Sequence, residues 1–223
     1  MLNKETRDQI VALIKREVVP AIGCTEPIAV ALCVAKATET LGTMPESIDV
    51  LLSGNMLKNA MGVGIPGTGM SGLPIAIALG AIVGKSEYQL EVLKDSTPEH
   101  VEKGKAYIAE KRINISLKEN ITEKLYIEVT VKAGDNTASA IIAGGHTHFI
   151  SITHNGEVLL SSKQKNGTQM ENKDIELSLR MVYEFADTVP IEEIEFINEA
   201  RRLNENASKK SLEGNYGHEL GKT

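Results

Sequence analysis

Tryptophan is missing from this chain of 223 residues, cysteine occurs only twice, and no stretch of Lys and Arg forms a basic cluster. Two thiols nine positions apart, Cys24 and Cys33, give no disulfide framework and point to a reducing compartment. A net charge of −6 without a basic patch leaves no electrostatic footprint for nucleic acid. No apolar run is long enough to span a membrane. The opening from Met1 to Asp8 mixes charges of both signs, where a signal peptide needs a basic start and an apolar stretch, so the chain is expected in the cytoplasm.

What the chain does have, 42% hydrophobic and 24% charged residues, suffices for a substantial core in one large domain or two small ones. Ile10, Val11, Leu13, Ile14, Val18 and Val19 among charges predict an amphipathic helix over 5–19, stopped before Pro20. A helix from near Thr25 to Leu41, a strand over 48–52, a helix over 55–61 and an apolar helix over 71–83 follow. From Ser86 the composition turns more polar, and Ser96-Thr97-Pro98-Glu99 offers a capping box for a helix reaching Lys111. Strand-like runs lie near 113–117, 124–132, 137–143 and 147–153, and Asn155-Gly156 is a hairpin signal leading into Val158-Leu159-Leu160. Helices are expected over 170–186 and 190–206, while 208–223 has no core-forming pattern. The expected fold is α+β, helical layers packed with an antiparallel sheet of about four to five strands. Its parts are a helical, site-bearing segment 1–85, a sheet segment 86–165 and a helical segment 166–223.

Gly23-Cys24-Thr25-Glu26-Pro27 is the first candidate site. Thr25, Glu26 and Pro27 read as cap, acid and first-turn proline, so the positive end of a helix lies beside Cys24 and favours its thiolate. Cys33, inside the apolar run, is expected to be core. Between Ser53 and Met61, Asn55, Lys58 and Asn59 share a helical face that is polar but carries one charge, as a pocket wall would. Lys58 there would bind a substrate carboxylate or abstract a proton.

The glycine-rich stretch 62–72 is the second candidate. Gly67, Gly69 and Gly72 match the dinucleotide fingerprint in form, but a helix precedes them instead of a strand, and the phosphate-loop ending Gly-Lys-Ser/Thr is not present there. What remains is an anion site made by the N–H groups of Thr68 to Gly72 at a helix N-terminus, or a tight connection between two helices. His146, His148 and His154 have one parity on the expected strand and hairpin and would line one face, and His146-Thr147-His148 has a spacing that a mononuclear metal accepts. No acidic or cysteine ligand stands near them in the sequence.

Gly23-Cys24-Thr25-Glu26-Pro27, Ser53-Gly54-Asn55 with Lys58-Asn59, and Val63-Gly64-Ile65-Pro66-Gly67-Thr68-Gly69 together resemble the L-cysteine desulfidase family, related to the alpha portion of iron–sulfur L-serine dehydratases. Gly145-His146-Thr147 and Gly214-Asn215-Tyr216-Gly217 extend the likeness across the chain. The resemblance implies a lyase that breaks down L-cysteine to pyruvate, ammonia and hydrogen sulfide without pyridoxal phosphate. It also implies a [4Fe–4S] cluster, held mostly by cysteines of a further half that this chain would require as a C-terminal continuation or a separate subunit. On the family pattern Cys24 is the base or a cluster ligand, and Lys58 is catalytic. Thr25, Glu26, Asn55, Asn59 and His146 would bind the small amino-acid substrate, with Gly67, Thr68 and Gly69 receiving its carboxylate. Two cysteines do not suffice for a cluster, so no cofactor is expected on this chain alone. The chain alone is expected to be inactive and to self-associate as a homo-oligomer through an exposed apolar face. A serine dehydratase-like deaminase and a non-catalytic amino-acid-binding or assembly module are the alternatives.

Overall fold

The computed structural model describes residues 2–162 and 175–214, which fall into two units, Ala21–Gln164 and Met1–Pro20 together with Lys165–Thr223. Residues 170–174 of the expected helix and the Asn215-Tyr216-Gly217 motif lie outside the described residues. The first unit runs across the expected boundary at 85–86, because a strand from one side of it pairs with strands from the other.

That unit is a two-sided stack on helix α2 (Thr25–Leu41). Residues Ile28 to Ala35 of α2 are all at most 1% exposed, which demands cover on every side. One side is a six-stranded sheet: β1 (Ser47–Leu52), β4 (Ile113–Leu117), β5 (Tyr126–Ala133), β6 (Asn136–Ala143), β7 (Phe149–His154) and β8 (Glu157–Ser161), in the order β4-β1-β5-β6-β7-β8. Ile48, Val50 and Leu52 of β1, Ile127, Val129 and Val131 of β5, and Ala138, Ala140 and Ile142 of β6 are buried at period two, the inward face that meets α2. The other side is α4 (Leu73–Ile82), backed in turn by α5 (Pro98–Ala109). Gly80 makes the α2–α4 crossing close, since a Cβ there would stand 2.6 Å from the Ala31 carbonyl oxygen. Cys33 is fully buried in this core, as expected, its S–H directed 3.2 Å to the Ala140 carbonyl.

The α+β class holds, with two differences in the sheet. It has six strands, and it is mixed: β1 inserts between β4 and β5, parallel to β4 and antiparallel to β5. The chain between β1 and β4 carries α3 (Gly54–Ala60), α4 and α5, the long crossover that a parallel pair requires. The expected capping box also shifts by one residue, since the Thr97 hydroxyl accepts from the His100 N–H and the His100 ring returns to the Thr97 N–H. Gly42 ends α2 in the left-handed region, and Asn155-Gly156, both at positive φ, turn β7 into β8.

The second unit is helical: α1 (Lys4–Glu17), α6 (Leu179–Thr188), α7 (Ile191–Ile194) and α8 (Ile197–Glu213). Arg7 reaches both carboxylate oxygens of Glu193 at 3.1 Å, and Lys15 stands 5.0 Å over the Phe196 ring. Among its described hydrophobic residues only Ile10 and Phe185 are buried. No described helix of either unit is long and apolar enough to cross a membrane.

Candidate functional site

The corner Ile22-Gly23-Cys24 leads into α2 and is held from two directions. Ile22 donates its N–H to the Leu90 carbonyl at 3.1 Å. Gly23 has φ +79°, and a Cβ there would meet Pro66 Cγ at 2.9 Å, so only glycine fits. Cys24 rather than Thr25 is the N-cap residue, and its side chain makes no capping bond. The sulfur points instead to Glu26, 3.0 Å from Oε2.

Glu26 gathers the site. Its Oε2 accepts from the Cys24 thiol and, at 3.2 Å, from the Thr25 hydroxyl, while Oε1 accepts from Asn59 Nδ2 at 3.3 Å. Thr25 thus serves the carboxylate and not the helix cap. The hydrogen bond from Cys24 holds the Glu26 carboxyl below its ordinary range, with those from Asn59 and Thr25 adding to it against partial burial. Burial first, then the bond to Glu26, pushes the Cys24 thiol up. This corrects the expectation of a thiolate: the positive end of α2 is answered by Glu26, and a neighbouring carboxylate disfavours a second negative charge on sulfur. The pair rests as thiol and carboxylate.

Asn59 reaches this cluster from α3, whose N-cap Ser53 accepts from Met56 N–H and donates to the Lys124 carbonyl. Met56 and Ala60 bury the inner face of α3, Asn59 is half-buried beside Glu26, and Asn55 and Lys58 are exposed. The expected polar face is therefore split: Asn59 alone is tied to Cys24 through Glu26. Among the described residues Lys58 Nζ has no hydrogen-bond or ion-pair partner.

The glycine stretch folds as a hairpin, β2 (Gly64–Ile65) paired with β3 (Met70–Ser71), with Gly67 and Gly69 reversing the chain at positive φ. A hairpin joins strand to strand, so the dinucleotide arrangement is not formed here. The expected anion cradle is corrected too. The N–H of Thr68 goes to the Ile65 carbonyl, that of Met70 to the Thr68 hydroxyl and that of Gly72 to the Val63 carbonyl. Thr68 is buried and its hydroxyl donates to the Ile65 carbonyl at 2.7 Å, so it fastens the hairpin. What the hairpin brings to the site is Pro66, pressed on Gly23.

His146 and His148 lie in the turn between β6 and β7, not on a strand, and His148 Nδ1 stands 3.0 Å from the Ala143 carbonyl. Only His154 is on β7, so the three do not line one face. No group of three or more metal-ligating side chains exists among the described residues. With Cys33 sealed in the core and Cys24 the single accessible thiol, the described residues do not fit a [4Fe–4S] cluster held by this chain alone.

The part that sequence reasoning missed is the grip of Glu26 on Cys24. Its signal was an acid two residues after a cysteine at a helix start, and the helix dipole drew attention to the thiol first.

The chain is similar to a UPF0597 protein of Bacteroides fragilis, 66% identical over 221 residues, 99% of this chain and 52% of that protein. A UPF0597 protein of Phocaeicola vulgatus is 65% identical over 222 residues, and one of Porphyromonas gingivalis 48% identical over 227, each again matched over 52% of its length. The chain thus spans about half the length of the curated relatives it matches, whose shared name states no activity. No family model and no solved structure matches it.

Proposed function

We propose that this chain carries the thiol-bearing part of a lyase that eliminates sulfide from L-cysteine, leaving an aminoacrylate that hydrolyses to pyruvate and ammonia. The observation that carries the reading is convergence. The three separated segments behind the resemblance meet in space: Pro66 of the third packs on Gly23 of the first, and Asn59 of the second binds Glu26 of the first. Elimination needs a group that takes the proton at Cα, and a thiol facing a carboxylate at 3.0 Å has an acceptor for its own proton within hydrogen-bond reach. In this reading the reactive form is the minor state of the pair, in which the proton has passed uphill from Cys24 Sγ to Glu26 Oε2, and its thiolate accepts the Cα proton as the C–S bond breaks. The electron pair of the Cα–H bond becomes the C=C bond, and that of the C–S bond leaves with sulfur. In this reading Lys58, exposed and without a partner among the described residues, meets the substrate carboxylate.

The resemblance also implies a [4Fe–4S] cluster, whose thiolates would have to come from outside the described residues. No step above depends on it. Two free cysteines support a reducing, cytoplasmic setting. The activity is that of the complete protein, so the test is anaerobic production of the whole gene product, with sulfide and pyruvate measured from L-cysteine and, in parallel, pyruvate from L-serine. Sulfide release that falls at least about a hundredfold in Cys24→Ala is expected for a base. Full release by Cys24→Ala would sink the assigned role, and turnover of L-serine alone would make the protein a deaminase.

A further inference from the structure

The described residues of the helical unit bury only Ile10 and Phe185 among their hydrophobic side chains, yet α1, α6 and α8 are amphipathic. Phe185 of α6 is buried, whereas Leu179 is 90% and Tyr183 75% exposed, with Val182 between them half-exposed. Spacings of three and four residues put Leu179, Val182 and Tyr183 on one stripe of the helix. Scattered apolar side chains are ordinary on a protein surface, but an apolar stripe in a unit whose described residues bury two hydrophobic side chains is a core face without a cover among the described residues.

We propose that the Leu179–Val182–Tyr183 stripe is the docking surface for polypeptide homologous to the part of the relatives that this chain does not match. The relatives are about twice as long as the matched region, so they carry a large segment with no counterpart here. The stripe holds no charge, so its occupant presents an apolar face. A second copy of the chain is the weaker occupant: in the relatives the unmatched segment belongs to the same polypeptide and meets the stripe at an effective concentration of about millimolar, far above that of a separate molecule. The inference stands on burial and does not depend on the reaction proposed above.

The experiment compares hydrogen exchange of residues 182–188 in the 223-residue chain with that of the corresponding helix in the full-length Bacteroides fragilis relative. Exchange about a hundredfold slower in the full-length protein is expected, because the stripe is covered there. Equal rates would overturn the proposal. Slow exchange in the 223-residue chain that strengthens with protein concentration would also overturn it, in favour of a second copy. Charge placed on the stripe supplies the second measurement: Leu179→Glu with Tyr183→Glu in the relative should return that helix to fast exchange. The rest of that protein should keep its protection. An unchanged helix in this variant contradicts docking at the stripe.

Discussion

Helices α2 and α8 are each seventeen residues long, and they live in opposite surroundings. Eleven residues of α2 are buried between the sheet and α4, while α8 buries none. Helix α8 is held by surface pairs such as Lys209–Glu205 at 2.7 Å, each of which stabilises by about 0.5 kcal/mol or less. The stability of the molecule therefore resides in the 21–164 unit, which also positions Cys24. On the docking proposal, the helical unit depends on what covers it.

The largest effect that separates the two is a core truncation. Leu32→Ala in α2 should lower unfolding free energy by about 2–5 kcal/mol in urea, against about 0.5 kcal/mol for Leu203→Ala in α8. Equal costs would erase the contrast. Next comes Gly80→Ala, whose new methyl meets the Ala31 carbonyl; overpacking of this kind costs about 1–3 kcal/mol, read as a lower Tm. Gly23→Ala combines a left-handed backbone with the Pro66 contact and should cost about as much, while also changing the reactivity of Cys24. Smaller still is a dependence on pH. The Glu26 carboxyl is lowered in the fold, so its contribution is present above the unfolded carboxylate pKa of about 4.3 and is lost as pH falls through the lower folded value. The Cys24 thiol is raised, so its contribution is present below the unfolded thiol pKa of about 8.5 and is lost as pH rises through the higher folded value. Glu26→Gln should remove the acid-side slope and reduce the alkaline one, measured as Tm against pH. Least of all, Lys58→Met should leave stability within about 0.5 kcal/mol, although in the complete protein it should raise the KM for L-cysteine.

Periodicity made most of the fold legible. The apolar run of α2 with Gly42 behind it, the alternation in β5 and β6, and Asn155-Gly156 were all readable as local chemistry. The insertion of β1 between β4 and β5 was not, because Ser47–Leu52 alternates alike in either register and its neighbours come from more than sixty residues away. The same holds for the site. Cys24 and Glu26 stand two residues apart at the helix start and could be picked out, but their mutual direction could not. Whether the thiol faced solvent or a carboxylate depended on side-chain directions, and the Glu26 carboxylate also accepts from Asn59, thirty-three residues further on. The glycine stretch misled for a related reason: positive φ marks a reversal, and only the partners of its N–H groups decide whether a ligand can use them.

Cys24 as a thiol held by Glu26 is the point on which the site and its chemistry rest, and the rate of its alkylation against pH measures it directly. Cys33 is sealed in the core and stays silent. In the native chain the midpoint of the alkylation profile should lie above that of an ordinary thiol. Glu26→Gln should move that midpoint down and speed alkylation at neutral pH, by about tenfold if the midpoint falls from one pH value to the next whole number below it. A native midpoint below the ordinary value, unmoved by Glu26→Gln, would contradict the account and restore the helix end as the group that governs the sulfur.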